Sequence, residues 1–378
     1  MKFVKNYLNY TAIGAVAVIM AISGAIGLPL STTELLEKIS IAIILAISLN
    51  MVVGFLGELS LGHAGFMCIG AYVGGKTALL FSDVLGGTSI LTILISLILG
   101  GAFAAVCGFI VGLPALRLRG DYLAIVTLAF GEIVKNIFEN SEFFGGQTGL
   151  KSPQLMGSKR FILFTIGFLL VLATLFVVQN IIKSKHGRAI TAIRDNEIAA
   201  KSMGINITKY KLMGFVVSAV FAGLAGALYS FTQSNIQAQT FGYNYSIEIL
   251  VIVVIGGMTV NGSIISAALI TFLNIFLQKN LGGSFAVAKD LIYALVLILV
   301  VIYRNAPSLK GFREKYNFGN LWRKILKPHH DPARIRDDAM RWDVVPTKIS
   351  MDEVLSTDIV IDNTGDNSAD IGERGGNK

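Results

Sequence analysis

The sequence predicts an all-α protein that is integral to a membrane, and three observations support this prediction. Apolar residue types make up 53% of the chain, charged types make up 15%, and the mean hydropathy is +0.66, values far outside those of soluble domains. The apolar residues form blocks as long as a helix needs to cross a bilayer. The net charge of +8 lies mainly between these blocks, as membrane insertion requires, so it indicates contact with membrane lipid rather than nucleic acid.

The apolar blocks predict about ten transmembrane helices, some of them broken or re-entrant. Lys2 and Lys5 precede the first block, which is too long for the apolar core of a cleaved signal peptide and is interpreted as a retained span. The predicted spans are 10–30, 39–57, 64–81, 90–113, 122–138, 161–182, 212–231, 246–258, 263–278 and 286–303.

The basic residues predict the orientation, with both termini in the cytoplasm. Under this topology the outer segments hold few Lys and Arg residues, whereas the inner segments hold most of them. The outer ones are Lys38, Lys151, Lys159, Arg160 and Lys279. We therefore expect an N-terminal helix and short outer loop over 1–38, a core over 39–305 and a cytosolic tail over 306–378. Residues 328–378 hold eleven acidic residues against six basic ones, and at least the last part of this tail is predicted to be disordered.

The longest polar stretch between two apolar blocks is the basic loop 183–211, which the topology places in the cytoplasm. Ala189, Ile193, Ala200 and Met203 recur there at helical spacing, and Gly204 can end the helix. A helix in such a loop has few functions, and one of them is to dock onto a soluble partner.

Two apolar segments are interrupted by glycines and polar residues, which predicts broken helices. Segment 59–72 contains Gly62, Gly65 and Gly70 with Ser60 and His63, and segment 255–263 contains three glycines with polar side chains. Broken helices at corresponding positions of two halves indicate a transport site near the middle of the membrane. Alternatively, these glycines only permit close helix packing. His63 can be a substrate contact, a proton carrier or a packing donor.

Other candidate sites are weaker. Residues 70–77 fit the phosphate-loop expression, but they lie inside an apolar block on the outer side, so we expect no nucleotide there. Glu132 and Lys135 are spaced to pair on one helix face, either as a functional pair or as a structural one. Cys68 and Cys107 lie in apolar runs and suggest neither a disulfide framework nor a metal site. No catalytic constellation is present, so we expect no enzyme activity and no cofactor.

Four stretches together resemble the LivM-type permease subunits of branched-chain amino acid ABC transporters. They are residues 59–72, 116–133, 145–150 and 187–206. Segment 197–204 is similar to the Glu-Ala-Ala…Gly signature with which importer permeases engage their ATPases, although no Leu-Pro pair follows. This chain also has Thr259-Val260-Asn261 where relatives have a further glycine after Met258.

The resemblance implies a function and a set of partners. The chain would form half of a translocation pathway in a bacterial inner membrane, beside a second related permease. Two cytosolic ATPases would bind the ATP, and an extracytoplasmic binding protein would deliver leucine, isoleucine or valine. The alternatives are a permease for urea, short amides or another small polar solute, a membrane-embedded enzyme using His63, Glu132 and Lys76, and a passive channel.

Two sets of residues are the candidates for these roles. The predicted solute pathway comprises Ser60, Gly62, His63, Gly65, Glu132, Gly256, Gly257 and Asn261. The predicted ATPase-coupling surface comprises Gly187, Arg188, Arg194, Asp195, Glu197, Ala200 and Gly204.

Overall fold

The computed structural model describes residues 30–84, 89–118, 120–151 and 160–280, together with residues 294, 295, 298 and 302. These residues are mostly helical. The α-helices are α1 (Leu30–Asn50), α2 (His63–Val84), α3 (Ile90–Ala115), α4 (Asp121–Asn140), α5 (Arg160–Lys183), α6 (Lys185–Asp195), α7 (Glu197–Ser202), α8 (Ile207–Ser230), α9 (Tyr243–Ile255) and α10 (Val260–Asn280). The strands are β1 (Leu150–Lys151) and β2 (Asn235–Ile236), and short 3-10 helices span Glu142–Phe144, Gly146–Thr148 and Ala238–Phe241.

The predicted all-α membrane architecture is confirmed. Within the described ranges, six helices are long and apolar enough to cross a membrane by length and composition. They are α1 with its extension to Leu56, α2, α3, α5, α8 and α10. The predicted span 122–138 corresponds to the amphipathic helix α4, and 246–258 corresponds to the 13-residue helix α9. The count of ten stays a prediction, because residues 10–29 and most of 286–303 lie outside the described residues, as does the tail 306–378.

The outer face of α3 has the surface expected of a helix in lipid. Leu91, Leu94, Ile98, Val106 and Ile110 are all exposed, and Ile98 has 67% of its surface accessible. A soluble protein rarely exposes an apolar face of this extent. Lipid tails can cover it at no free-energy cost, because they are as apolar as these side chains.

Helices α2 and α8 pack closely against each other through small residues. Gly70 of α2 lies directly against the backbone of Gly223 in α8, and Gly226 lies against the carbonyl oxygen of Met67. A Cβ atom at position 70 would overlap the Gly223 backbone. Close backbone approach of this kind is a common way for membrane helices to associate. Gly70 therefore fits the alternative interpretation of segment 59–72, in which its glycines permit close packing of helices.

Helix α1 begins earlier than the predicted span 39–57 and ends in an irregular turn. It starts at Leu30, so that Lys38 lies within the helix rather than in an outer loop. The sequence carries a signal for this early start, because the helix-forming residues Leu35, Leu36 and Glu37 fill the turns before residue 39. At its other end α1 continues as a π-helix, Met51–Leu56, which stops at Gly57 with φ of 74°.

Helices α9 and α10 form an antiparallel helical hairpin. Ser266 Oγ of α10 donates to the carbonyl oxygen of Ile252 in α9 at 2.7 Å. Farther along, Asn274 Nδ2 donates to Glu248 Oε1 at 3.3 Å. The predicted interruption in segment 255–263 is the turn of this hairpin, where Gly257 and Met258 have φ values of 71° and 55°. A left-handed conformation is unusual for a methionine.

The two strands mark one end of the bundle, which we call the strand end. β1 and β2 pair antiparallel, with Leu150 opposite Ile236, and Tyr72 Oη of α2 donates to the carbonyl oxygen of Ile236 at 3.1 Å. Helix α8 reaches the strand end at its C-terminus and begins directly after α7. Helices α6 and α7 therefore lie at the other end, which we call the surface-helix end.

Candidate functional site

The basic loop forms two short helices rather than the single predicted one. The side chain of Ser184 accepts from the backbone N–H groups of His186 and Gly187 and caps α6. Asn196 adopts an extended conformation, and its Oδ1 accepts from Ile198 N and Ala199 N at 3.1 and 3.0 Å, which caps α7. The break at Asn196 changes the helical phase. Met203, which the spacing predicted on the apolar face, is consequently 81% exposed.

The predicted coupling residues divide between two faces of α6 and α7. Gly187 and Ala200 are buried against this chain, and Glu197 is half-buried. Exposed residues are Arg188, Arg194, Asp195 and Gly204. Gly204 has φ of 79°, and no atom of this chain lies within 4 Å of a Cβ added there. Glycine is therefore favoured at this position by the left-handed backbone that ends the helix, and not by close contact within this chain. Sequence reasoning missed Ile198, whose side chain is 77% exposed.

Arg194 anchors α6 to the π-helix that ends α1. Its Nη1 donates to the carbonyl oxygen of Gly54 at 3.0 Å, while Nη2 contacts Asp195 Oδ1 at 2.9 Å. An added Cβ at Gly54 would come within 2.8 Å of the carbonyl oxygen of Met258 in the α9–α10 turn. Gly54 therefore lies between the surface helix α6 and the α9–α10 hairpin.

A buried ion triad ties α7 and α8 to the first broken segment. Lys211 Nζ lies 2.5 Å from Glu58 Oε1 and 3.4 Å from Glu197 Oε2, and the lysine side chain is 3% exposed. Sequence reasoning grouped Lys211 with the other basic loop residues. Its main partner is 153 positions away in the chain, so no local pattern could have identified this pair.

The first broken segment is embedded in protein. Chain between Leu56 and His63 is non-helical, and Ser60 and His63 are buried. His63 Nε2 and Ser48 Oγ are 2.8 Å apart, which joins the start of α2 to α1. Gly62 and Gly65 face Thr127 and Gly131 of α4. These contacts fit the alternative in which His63 forms a hydrogen bond that holds helices together. That His63 contacts the solute stays a prediction.

The second broken segment contacts the end of α1. With its amide oriented to satisfy both partners, the Asn50 side chain donates to the carbonyl oxygen of Met258 at 3.1 Å and accepts from Val260 N at 3.3 Å. Gly256 is buried against the backbone of Gly262 and Ser263, whereas Asn261 is exposed. The first segment thus packs on α4 and, through His63 and Ala64, on α1 and α9, while the second segment contacts α1. That the two face one solute path remains a prediction.

Glu132 and Lys135 form the pair that their spacing predicted, at 2.5 Å. Glu132 Oε1 also accepts from the backbone N–H of Tyr243 at 2.8 Å, at the first residue of α9. A carboxylate is favourable at a helix N-terminus because of the helix dipole. This geometry supports the structural alternative for the pair.

The family described as "Branched-chain amino acid transport system / permease component" matches residues 31–301. The chain belongs to this family. It is 35% identical over 319 residues to the high-affinity branched-chain amino acid permease protein LivM of Escherichia coli K12, covering 76% of this chain and 72% of LivM. It is 37% identical over 294 residues to LivM of Salmonella typhimurium, covering 70% and 66%.

More distant relatives of this permease are named for other solutes. The ribose import permease RbsC of Escherichia coli K12 is 27% identical over 294 residues, covering 72% of this permease and 84% of RbsC. The sequence predicted a LivM-like membrane permease of an ABC importer. Membership of the branched-chain amino acid permease family confirms this prediction. Its homologues are transport proteins rather than enzymes.

The phosphate-loop pattern of the permease has a structural explanation. Residues 70–77 lie inside the continuous helix α2, far from either of its ends. A nucleotide-binding loop instead connects a strand to a helix. Lys76 Nζ donates to the carbonyl oxygen of Phe143 at 3.0 Å and lies 4.4 Å from the centre of that ring, so this lysine attaches α2 to the loop after α4.

Proposed function

We propose that the permease transports leucine, isoleucine and valine, and that ATP hydrolysis by separate subunits drives this transport. The observation that carries the proposal is its identity of 35–37% to two LivM proteins over 70% or more of the chain. ATP is bound by the partner subunits, and this chain has no enzyme activity of its own. A second related permease and an extracytoplasmic binding protein complete the importer.

The surface-helix end faces the cytoplasm in this proposal, with both termini on the same side of a bacterial inner membrane. Lys and Arg outnumber Asp and Glu by seven to two in residues 183–211, which supports the orientation because basic loops stay in the cytoplasm. The ATPases then approach α6 and α7. The exposed apolar residues Ile198 and Met203 suit a docking surface of this kind, with Arg188 and Asp195 as polar contacts.

Movement of a docked ATPase has two routes into the membrane helices. One is Arg194, through its bond to Gly54 of the π-helix. The other is Glu197, through Lys211 to Glu58 beside the first broken segment. Both routes use short polar contacts between elements far apart in the chain, which suits transmission of a displacement from the surface.

Leucine uptake tests the proposed function directly. We expect proteoliposomes that hold the permease with its partner ATPases and second permease to accumulate labelled leucine, given ATP and the binding protein. Excess isoleucine or valine should compete, while ribose and urea should not. Uptake of ribose or urea instead of leucine would replace the proposed substrate with the alternative, and uptake without ATP would indicate a channel.

Ile198→Asp tests the docking surface. A charge at the centre of an apolar contact commonly costs 2 kcal/mol or more, so we expect roughly a 30-fold loss of ATPase binding in co-purification. The folding of the permease should not change, because this side chain is exposed. Thr208→Asp is the matched control, since it adds the same charge at an exposed position of α8. Equal ATPase binding by both variants would contradict docking at α7.

A further inference from the structure

The exposed face of α4 differs in composition from that of α3. Its residues follow one another at spacings of three and four, so they form a continuous stripe along the helix. The members of this α4 stripe are Tyr122, Ile125, Ala129, Ile133, Asn136 and Asn140, and all are exposed. The exposed residues of α3, in contrast, are all apolar. The α4 stripe therefore has an apolar centre and two amide side chains toward its C-terminal end.

A charged pair borders the α4 stripe. Glu132 comes three residues after Ala129 and four before Asn136, so it is a neighbour of both on the helix surface. The side chains of Glu132 and its partner Lys135 keep 26% and 21% of their surface accessible. Helix α4 has 20 residues, and its length of about 30 Å matches the hydrocarbon core of a bilayer. Glu132 therefore lies near the middle of this length, where a charge that faces lipid is costly.

Asn136 adds a hydrogen-bonding group to the α4 stripe. Its backbone carbonyl oxygen accepts from Asn140 Nδ2 at 2.8 Å, but its own side-chain amide makes no hydrogen bond within the part of the chain that the structure describes. Asparagine side chains form hydrogen bonds between membrane helices, and small residues let two helix backbones come close together. Ala129 supplies such a small residue at the centre of the stripe.

Lipid and water each suit only part of this surface. Lipid tails would leave the amide of Asn136 unpaired and would cover the accessible part of Glu132, whereas water would cover the apolar centre of the stripe. Another membrane protein can supply both apolar side chains and hydrogen-bonding groups. The proposed function includes such a protein, because a second related permease forms the importer together with this one.

We propose that the α4 stripe is the surface that packs against the second permease, with Ala129 at the point of closest approach and Asn136 hydrogen-bonded across the interface. The inference rests on the proposed function for the presence of this partner. The opposite face of α4 contacts the first broken segment, since Gly62 lies against the backbone of Thr127. A change in the contact between the two permeases therefore reaches segment 59–72 through a single helix.

Photo-crosslinking tests this interface in the assembled importer. We expect p-benzoylphenylalanine at position 133 to crosslink to the second permease on illumination, because Ile133 is 57% exposed on the stripe. Position 98 on α3 is the matched control, since Ile98 is 67% exposed and the same group there should react with lipid alone. The proposal is wrong if position 133 crosslinks only to lipid, to an ATPase or to another copy of this chain.

Two substitutions of Asn136 test the hydrogen bond across the interface. Asn136→Leu should reduce co-purification of the second permease by about 3- to 20-fold, the range for hydrogen bonds between membrane helices. Asn136→Gln keeps an amide and should restore most of this loss. Both variants should still bind the ATPases, which dock on α6 and α7, and this binding shows that they have folded. Unchanged recovery of the second permease with Asn136→Leu would contradict the proposed bond.

Leucine uptake separates this inference from the proposed function. An importer that takes up leucine but crosslinks only to lipid from position 133 keeps its function, and the interface falls. An importer that crosslinks to the second permease from position 133 but takes up ribose instead of leucine keeps the interface, and the proposed substrate falls.

Discussion

Lys211→Met is expected to destabilise the permease by about 3–5 kcal/mol, the range for removal of one partner from a buried ion pair. The substitution leaves the Glu58 carboxylate without the ammonium group that lies 2.5 Å from it. Glu58 has only 9% of its surface exposed, so water cannot replace the lost partner. Thermal unfolding of the detergent-solubilised protein measures the effect as a fall in Tm.

Two controls isolate the triad as the cause. Lys209→Met removes the same charge from an exposed position two residues earlier and should leave Tm nearly unchanged. The double variant Glu58→Gln, Lys211→Met removes both buried charges and should be more stable than Lys211→Met alone. If Lys209→Met and Lys211→Met unfold at the same temperature, the triad does not stabilise the fold.

Gly70→Ala is expected to disrupt the packing of α2 against α8, with a cost of about 3 kcal/mol. The added methyl group would overlap the backbone of Gly223, and a backbone cannot change rotamer to relieve the overlap. The two helices must therefore separate, which also weakens the contacts of α3 with both. The fraction of protein that elutes as a folded monodisperse species, together with its Tm, measures the loss.

Gly131→Ala is the matched control for this substitution. Gly131 also lies inside a helix that packs against α2, but the nearest atom to an added Cβ there is 3.5 Å away, an ordinary van der Waals distance. Alanine also favours a helix interior over glycine by up to about 1 kcal/mol. Gly131→Ala should therefore be neutral or slightly stabilising. A Gly70→Ala protein as stable as Gly131→Ala would show that α2 and α8 are not in backbone contact.

The sequence predicted those features that depend on local pattern. Apolar block length identified the helices, and the glycines of segments 59–72 and 255–263 identified the two interruptions, because glycine and polar residues break an apolar helix locally. The break at Asn196 could also have been predicted from the sequence, since asparagine is a common N-cap residue. Overlooking it assigned Met203 to the wrong face.

Other features depend on distant residues and had no local signal. Lys211 has the same sequence surroundings as the exposed Lys209, and only the fold brings it to Glu58. Lys38 was assigned to a loop because it directly precedes the apolar block 39–57, yet α1 begins at Leu30 and includes it, with its side chain exposed. Contacts between helices, rather than composition, decide whether a charge in this permease is solvated or buried.

Gly54 lies where three elements of the permease meet. Its carbonyl oxygen holds Arg194 of α6, and a Cβ added at position 54 would come within 2.8 Å of the carbonyl oxygen of Met258 in the hairpin turn. Such a Cβ would also overlap the side-chain oxygen of Asn50, the residue whose amide bonds Met258 and Val260. Any side chain at position 54 would therefore push Asn50 away from the turn. The missing side chain thus preserves a polar link between α1 and the hairpin at the same place where Arg194 attaches the surface helix.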